Sequence, residues 1–592
     1  MRIALLTEGG YPYATGESHA WCDRLVRGLT GHEFTVYALS TDARQAAAPA
    51  ELPAHVRQVR TAPLWGACPD VHRLSAEERR GRAGRRERRR FAEHFADLAA
   101  AFVTAPAADV RTGPDGSGRP MIDKADRFAA GLYGLADLAH THGGLPALLR
   151  SEDAVRILEA VCRGHRALPA AHGAQVRDLL AVTGQLERAL RPLSLEWYGV
   201  DPSGLGGADL CHATSGGVAA LPGLLAKRFF GTPLLVTEYG VRLREHYLAR
   251  AAAPLTAPVR ALLAAFQGAL AAETYAQAAL ITPGNTHARR WQQRCGADPA
   301  RLRTVYPGMG AGRFTAVEDA ADDDSKTLVW VGAIEPAKDI IGLLHAFAEI
   351  RRAEPEATLR IIGGTGRDPQ APGYRAHCRA LAAQLFPDEA ADDRTVGESP
   401  VTFEEIGGPE VPTLEDAYAG GAVLVLSSVV EGFPRSLVEA MFCGRATVST
   451  DAGAVCEVIG GTGLVVPPRN PHALAEACRA LLGDPGRRAR LGAAARARAL
   501  ELFTVEQNIA AFRGIYLELI SHAPVRPAAT GAAYAHGVPR PFDSPAESHV
   551  PGRWAAAPLG HTPSWAAGEG RDGAGVPAGA VPAPSAGRGE GS

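Results

Sequence analysis

No stretch of this 592-residue sequence is apolar over the roughly 18–20 residues that a membrane-spanning helix requires, so we expect a soluble protein. The nine cysteines include no CxxC pair, which argues against a zinc site and against a disulfide framework. The N-terminal stretch MRIALLTEGG lacks the long apolar core of a secretion signal and is typical of a buried first strand. These absences predict a cytoplasmic location and no structural metal.

Charge of one sign is also missing, because 62 lysines and arginines stand against 64 aspartates and glutamates, for a net charge of −2. A global basic field of the kind that draws proteins to nucleic acid is therefore excluded, and we expect no nucleic-acid partner. Lysine itself is scarce, since only four of the 62 basic residues are lysines. Against this background Lys338 stands out within the segment WVGAIEPAKD.

The order of the apolar runs predicts two successive α/β domains. Residues 1–40 alternate as strand, glycine-bearing loop, helix and strand, a pattern that favours a parallel sheet with crossover helices. A second alternation begins with TLVWVGAI, after an acidic stretch typical of a linker. Because one hydrophobic core seldom exceeds about 250–300 residues, two domains suit this chain length. In such domains ligands bind at the carboxyl ends of the strands.

These patterns also predict the domain boundaries. Residues 1–310 form the first domain, which contains a helical insertion at about 41–200. Residues 311–503 form the second domain, and a helix at 504–520 packs back on the first domain. Of the 72 residues from 521 to 592, 46 are Ala, Gly, Pro or Ser, a composition that predicts a disordered tail.

An arginine-rich segment at residues 79–90 has eight arginines in twelve positions. One interpretation is a solvated helix face or flexible insertion, and the other is a patch that contacts a polyanion. The sequence favours the first interpretation and leaves the second open.

The clearest functional pattern is AVLVLSSVVEGFPRSLVEAMFCGRATVST, residues 422–450. Its apolar run ends at two serines, and Glu431 and Gly432 then form a turn. Pro434 suits the first position of a helix, because proline has no N–H to leave unpaired there. Gly444 ends the helix. A short helix is therefore expected directly beyond the end of a strand.

The first turn of that helix has the properties of a phosphate site. The backbone N–H groups of Arg435, Ser436 and Leu437 are expected to lack helical partners and to point outward at the positive end of the helix dipole. Glu439 lies one turn further on and Glu431 precedes the helix, so two carboxylates flank the same pocket. Carboxylates beside a phosphate are unfavourable unless they accept hydrogen bonds from neutral groups, and sugar or ribose hydroxyls are suitable donors.

Five segments together resemble a known family. EGFPRSLVE has the E-x7-E spacing of the retaining family-4 glycosyltransferases and resembles their EGFPxxxxEAM form. EGGYPYATG, CHATSGG, TEYGVRLRE and EPAKD resemble motifs of one subgroup, the PelF-type transferases of exopolysaccharide synthesis. The resemblance covers residues 1–40 and 200–520. It implies an α/β protein of GT-B fold, in which two Rossmann-like domains with parallel sheets face a central cleft.

The resemblance also implies roles for individual residues. Glu439 would bind the ribose of the nucleotide, Glu431 would contact the donor sugar as a catalytic residue, and Lys338 would neutralise the diphosphate. His212, in CHATS, matches a cleft histidine that contacts the donor sugar, so it is the second predicted catalytic residue. A hydrogen-bonded structural histidine is the competing interpretation. The other predicted donor-binding residues are Gly16, Gly432, Phe433, Pro434, Arg435, Ser436 and Leu437.

Two positions depart from the family pattern. Ala333 stands where an arginine usually helps to hold the diphosphate, and losing such a charge-assisted pair costs about 2–5 kcal/mol. Arg435 is a candidate replacement. Glu17 stands where a second loop glycine is frequent, and a residue with a side chain disfavours close approach of the backbone to phosphate. On the opposite side of the cleft, Glu238 in TEYG follows a strand and is expected to line the acceptor side.

By this resemblance the protein is expected to be a metal-independent, retaining hexosyltransferase that uses no cofactor. Its donor would be UDP-glucose or another UDP-hexose, its acceptor a glycan, and its partner a membrane-associated polysaccharide synthesis complex. The departures at Ala333 and Glu17 motivate an alternative, a non-catalytic module of the same fold that binds sugar nucleotide or glycan as an assembly partner. A phosphorylase or epimerase of this fold is a third interpretation, for which the sequence offers nothing specific.

Overall fold

The computed structural model contains two parallel β-sheets of six strands each, with helices on their faces. This architecture, with the similarity to solved structures reported below, confirms the predicted GT-B fold. The residues that the structure describes are 1–13, 16–41, 51–66, 84–105, 124–201, 203–248, 255–314, 325–366, 368–387 and 399–523.

The first sheet is formed by β1 (Arg2–Glu8), β2 (Glu33–Ser40), β3 (Val56–Pro63), β4 (Leu210–Ala213), β5 (Leu234–Glu238) and β6 (Leu280–Pro283). Its strand order is β3-β2-β1-β4-β5-β6. The order reverses direction between β1 and β4, and in open parallel sheets ligands bind beyond the carboxyl ends of the strands at such a point.

β3 corrects the predicted helical insertion at about 41–200, because residues 56–63 pair with β2 and belong to the sheet. The strand was missed because it lies at the sheet edge, where only one of its eight residues is fully buried. Its sequence VRQVRTAP is accordingly polar rather than a continuous apolar run. Within the described residues, the inserted helices begin only after this strand.

The first half has ten helices among its described residues, and the second to sixth of them form most of the insertion. They are α1 (Glu17–Gly28), α2 (Arg85–Val103), α3 (Lys124–His142), α4 (Leu145–Leu149), α5 (Glu152–Cys162), α6 (Val176–Leu190), α7 (Leu221–Phe230), α8 (Arg242–Leu248), α9 (Ala257–Gln277) and α10 (Thr286–Arg294).

The inserted helices share one hydrophobic core with the first sheet. Phe95 and Leu98 of α2 and Leu132 of α3 are fully buried and belong to the same cluster as Val236 of β5. The insertion is therefore part of the first domain. Of the arginine-rich segment, residues 79–83 lie outside the described part of the chain, and residues 85–90 form the mostly exposed start of α2.

The second sheet is formed by β7 (Thr327–Val331), β8 (Thr358–Ile362), β9 (Val401–Glu404), β10 (Val423–Leu426), β11 (Ala446–Thr450) and β12 (Leu464–Val466). Its order is β12-β11-β10-β7-β8-β9, so the reversal lies between β7 and β10. Apolar side chains such as Trp330 and Val425 fill the core between this sheet and its helices.

Eight helices accompany the second sheet. They are α11 (Ile340–Ala353), α12 (Ala371–Leu385), α13 (Leu414–Ala419), α14 (Arg435–Phe442), α15 (Val455–Ile459), α16 (Pro471–Leu482), α17 (Pro485–Leu502) and α18 (Val505–Ser521). Within the described ranges, no helix combines the length and the apolar character that a membrane crossing requires.

α18 packs on the first half, where the sequence predicts a returning final helix. Its side chains Phe512 and Tyr516 belong to one core cluster with Trp21 and Leu25 of α1. The chain therefore passes between the halves twice, and the two passages are hydrogen-bonded to each other, since the Met309 N–H donates to the Phe503 carbonyl at 2.8 Å. The predicted tail lies outside the described residues from 524 onward.

Candidate functional site in the cleft between the sheets

The loop between β10 and α14 carries Glu431, Gly432 and Phe433 into the cleft. Pro434 precedes α14 with φ −79° and ψ 82°, and the first helical residue is Arg435. This corrects the expectation that Pro434 occupies the first helical position. The difference is one residue, and it changes which backbone groups are open.

Two of the three amides predicted to be open donors have partners within the loop. The Arg435 N–H donates to the Phe433 carbonyl at 3.0 Å, and the Leu437 N–H donates to the Pro434 carbonyl at 3.2 Å. The expectation of three free amides was therefore wrong in this conformation, because the non-helical Pro434 lets the turn close on itself. Side chains, rather than those amides, supply most of the polar atoms of the candidate site.

Lys338 and Glu431 form a direct ion pair, with 2.6 Å between Lys338 Nζ and Glu431 Oε2. Lys338 ends a short helical turn just beyond β7, and Glu431 lies just beyond the neighbouring strand β10. The Ser428 hydroxyl also donates to Glu431 Oε2, at 3.1 Å. Their side chains are only 18% and 12% exposed, so the pair is partly shielded from water. The structure thus brings these two predicted site residues together.

Glu439, one turn into α14, is almost fully buried and accepts a hydrogen bond from the Tyr418 hydroxyl at 2.6 Å. Arg435 approaches the other carboxylate oxygen at 3.4 Å. Burial raises the pKa of Glu439, and the Tyr418 hydrogen bond and the Arg435 charge act against that shift. The carboxylate is therefore held in place by groups that favour its charged form.

The two halves meet at this loop. Arg244 of α8 donates from Nη2 to the Glu431 carbonyl at 2.8 Å. Nearby, a cavity of 310 Å³ is bounded by both halves of the molecule. Its lining includes Glu8, Trp21, Arg24, Tyr239, Arg242 and Glu245 from the first half, and Phe433 and Arg435 from the second.

A second cavity, of 580 Å³, lies between the carboxyl edge of the first sheet and the helices α6, α8 and α9. Glu238, the predicted acceptor-side residue, lines it. Its carboxylate accepts hydrogen bonds from the Tyr275 hydroxyl, the Gly216 N–H and the Gln292 side-chain amide. Burial raises the pKa of Glu238. Glu8, Arg242 and Glu245 line both cavities, which therefore lie side by side.

His212 lies outside both cavities, which corrects the prediction of a catalytic role in the cleft. It has no exposed surface, and its Nδ1 and Nε2 each lie 2.7 Å from a hydroxyl, of Tyr516 and Thr237 respectively. Burial lowers the pKa of His212 to about 3. Because both nitrogens are occupied by protein groups, the side chain has no free atom to offer a ligand. The structural interpretation of His212 fits this geometry.

Gly16 directly precedes α1, with φ +139°. No atom lies within 4 Å of the position that a Cβ would take, so the backbone angle rather than space favours glycine there. Ser18, two residues further on, lines the 310 Å³ cavity. The side chain of Glu17 lies outside the described part of the structure.

Arg24, Glu8 and Arg242 line the cleft although no motif singled them out as site residues. Arg242 falls within TEYGVRLRE and Glu8 precedes the first glycine pair, so position next to a motif could have indicated both. Arg24 has no such signal, because arginines are common throughout this chain. In the part of the chain that the structure describes, no group of three His, Cys, Asp or Glu side chains is arranged to hold a metal ion.

Comparisons with solved structures concern the fold. The crystal structure of HepE from Anabaena, solved in complex with UDP, matches with a TM-score of 0.51 and 13% identity, over 88% of this chain and 100% of that one. Sucrose-phosphate synthase from Thermosynechococcus elongatus matches with a TM-score of 0.50 and 18% identity, over 88% and 98% of the two chains.

Sequence relatives lie among D-inositol 3-phosphate glycosyltransferases. The protein of that name from Streptomyces bingchenggensis is 30% identical over 237 residues, which are 38% of this chain and 49% of the relative. The one from Kineococcus radiotolerans is 33% identical over 224 residues, which are 34% and 49%. The chain thus spans about half the length of the curated relatives that it matches.

Two family models match different parts of the chain. The model described as Glycosyl transferases group 1 matches residues 325–484, which contain Lys338, Glu431 and Glu439. The model described as Domain of unknown function (DUF3492) matches residues 1–300. Since the latter covers just over half of the 592 residues, the chain belongs to the DUF3492 family, with a group 1 glycosyl transferase domain in its second half.

Proposed function

We propose that this protein is a retaining glycosyltransferase that moves a sugar from a nucleotide sugar to a glycan acceptor. The observation that carries the proposal is the ion pair of Lys338 and Glu431, which lies just beyond the carboxyl ends of the neighbouring strands β7 and β10. The loop that carries Glu431 is also contacted by Arg244 of the first half. The match of this region to group 1 glycosyl transferases supports the same reaction class.

The proposed donor is UDP-glucose or another UDP-hexose. HepE, which shares the fold, was solved with UDP, and the E-x7-E segment resembles the donor site of family-4 enzymes. The five-motif resemblance to the PelF-type subgroup supports a role in exopolysaccharide synthesis, in the cytoplasm and alongside a membrane-associated synthesis complex. The 580 Å³ cavity beside Glu238 is the proposed place of the acceptor.

In the proposed reaction, the bond between the sugar C1 and the diphosphate oxygen breaks, and a bond from C1 to the acceptor oxygen forms on the same face. The acceptor proton passes to the departing diphosphate. Lys338 stabilises the negative charge of the leaving group, Glu431 orients the sugar hydroxyls, and Glu439 accepts hydrogen bonds from the ribose. His212 takes no part. We propose that these groups suffice without a metal ion.

The test is an assay of the full chain with a set of UDP- and GDP-sugars, in the presence and absence of EDTA and of oligosaccharide acceptors. We expect release of UDP, transfer with retained anomeric configuration by NMR, and no loss of rate with EDTA. A protein that binds UDP but releases none from any donor would instead support the non-catalytic alternative. Loss of activity in EDTA, restored by a divalent metal, would refute metal independence.

A further inference from the structure

Most of the arginines that line the 310 Å³ cavity have a carboxylate partner. Arg242 bonds to Glu8 at 2.5 Å and lies 3.6 Å from Glu245, so these three side chains neutralise one another in part. Arg435, on the opposite wall, lies 3.4 Å from Glu439. One further arginine in the lining has a different environment.

Arg24 projects into the cavity from α1 and is half-buried. Within the described residues, no carboxylate lies within 4 Å of its guanidinium group, and its Nε is buried without a hydrogen-bond partner. The adjacent Asp23 is engaged by Arg27, at 2.8 Å. Burial lowers the pKa of Arg24, as expected for a cation with little compensation.

A partly desolvated cation without a counter-ion is costly, and an anion that enters the cavity would remove that cost. Guanidinium is suited to phosphate, because its planar fork of N–H groups matches the oxygens of a phosphoryl group. Trp21, Tyr239 and Phe433 form aromatic walls of the cavity. The two carboxylates in its lining, Glu8 and Glu245, are both paired with Arg242.

We infer that the 310 Å³ cavity binds a phosphoryl group of the substrate, held between Arg24 of the first half and Arg435 of the second. The inference rests on the proposed function and extends it to Arg24, a residue that lies outside the sequence motifs. The phosphoryl group belongs either to the diphosphate of the donor or to a phosphorylated acceptor. In both cases the ligand joins the two halves, because its two arginines come from opposite walls of the cleft.

The experiment compares two variants of the full chain by calorimetry. Arg24→Gln removes the charge from the cavity, whereas Arg27→Gln removes an exposed arginine of the same helix that already has a carboxylate partner. If the donor supplies the phosphoryl group, Arg24→Gln lowers the affinity for UDP on the order of 10–100-fold and leaves uridine binding unchanged. Arg27→Gln stays within about twofold of wild type for both ligands.

If the acceptor supplies the phosphoryl group, Arg24→Gln leaves UDP binding unchanged but abolishes the binding of glucose 6-phosphate to the protein saturated with UDP. Equal affinities of wild type and Arg24→Gln for UDP, glucose 6-phosphate and inorganic pyrophosphate overturn the inference. Arg24→Lys keeps the charge without the fork, and an intermediate affinity supports the inference even if the glutamine variant folds poorly.

The two proposals fail in different ways. If the wild-type protein releases UDP from UDP-sugars, but Arg24→Gln binds the ligands as tightly as wild type does, the proposed function stands and this inference is wrong. A wild-type protein that releases no UDP loses the proposed function. Pyrophosphate binding that depends on Arg24 would still support the anion site in that case.

Discussion

Each half of the molecule contains a buried glutamate that accepts a hydrogen bond from a tyrosine hydroxyl. In the first half Glu238 is bonded by Tyr275, and in the second half Glu439 is bonded by Tyr418. The remaining partners differ, because Glu238 has only neutral donors around its carboxylate, whereas Glu439 has the charge of Arg435 nearby. Burial raises the pKa of both carboxyl groups.

The same contrast extends to the other charged groups of the two halves. Arg191 and Glu187 in the first half are 3% and 1% exposed, and they tie α6 to the loop that follows β3. Lys338 and Glu431 in the second half are more exposed, at 18% and 12% of their side-chain surface. This difference indicates that buried charge in the first half maintains the shape of a cavity, whereas charge in the second half is available to a ligand.

The largest expected effect is on stability, and it tests the first half. Arg191 bonds to Glu187 and to the carbonyl groups of Trp65 and Gly66. Arg191→Met leaves the buried Glu187 carboxylate with Arg150, at 3.0 Å, as its remaining cation. The loss of Arg191 should lower the free energy of unfolding by roughly 3 kcal/mol. The matched change in the second half, Arg360→Met, removes a more exposed pair with Glu404 and should cost roughly 1 kcal/mol. Denaturant unfolding measures both, and equal losses would break the comparison.

The next effect is on activity. Lys338→Gln removes the cation proposed to stabilise the leaving diphosphate, so the rate of UDP release should fall on the order of 10²–10³-fold. Lys326→Gln is the control, because Lys326 lies at the opposite end of β7 and pairs with Glu354. The two variants should have similar melting temperatures. Full activity in Lys338→Gln would contradict the assignment.

A smaller effect separates the two tyrosine-bonded glutamates. Glu439→Gln removes the charge proposed to bind ribose and should weaken UDP binding on the order of 10-fold, measured by calorimetry. Glu238→Gln should leave UDP affinity within about twofold and should instead weaken transfer to the acceptor. A loss of UDP affinity in Glu238→Gln, or none in Glu439→Gln, would reverse the assignment of donor and acceptor sides.

The smallest effect is a pH dependence. Because the folded-state pKa of Glu238 is raised above its ordinary value of 4.5, the folded protein keeps that proton when the unfolded chain has lost it. The stability that this group contributes is complete below pH 4.5 and declines as the pH rises through the folded pKa. Glu238→Gln, which stays neutral, should therefore gain stability relative to wild type with rising pH. We expect a weaker gain for Glu439→Gln, because Arg435 favours the Glu439 anion.

Much of the architecture could be predicted from apolar runs and turn residues, because buried parallel strands have a strong local signal. The edge strand β3 lacks that signal, since one of its faces is solvated. The pairing of Lys338 with Glu431 was also predictable, because each residue belongs to a motif just beyond one of two neighbouring strands.

The errors come from geometry that no local pattern encodes. Side chains along a strand alternate between the two faces of the sheet. His212 falls on the face covered by α18, so its burial depends on a helix about 300 residues later in the chain. Arg24 was missed for the opposite reason, because its position opposite Arg435 arises only when the two halves are folded together.

The paired passages between the halves have a mechanical consequence. The Met309 N–H bonds to the Phe503 carbonyl and the Val505 N–H bonds to the Met309 carbonyl. A Cβ on the neighbouring Gly308 would come within 2.8 Å of the Val505 backbone. The two connections are therefore joined by backbone hydrogen bonds at this point, and we expect these bonds to restrict rotation of one half relative to the other. We expect Gly308→Ala to push the two chain segments apart and to change the angle between the two halves of the molecule.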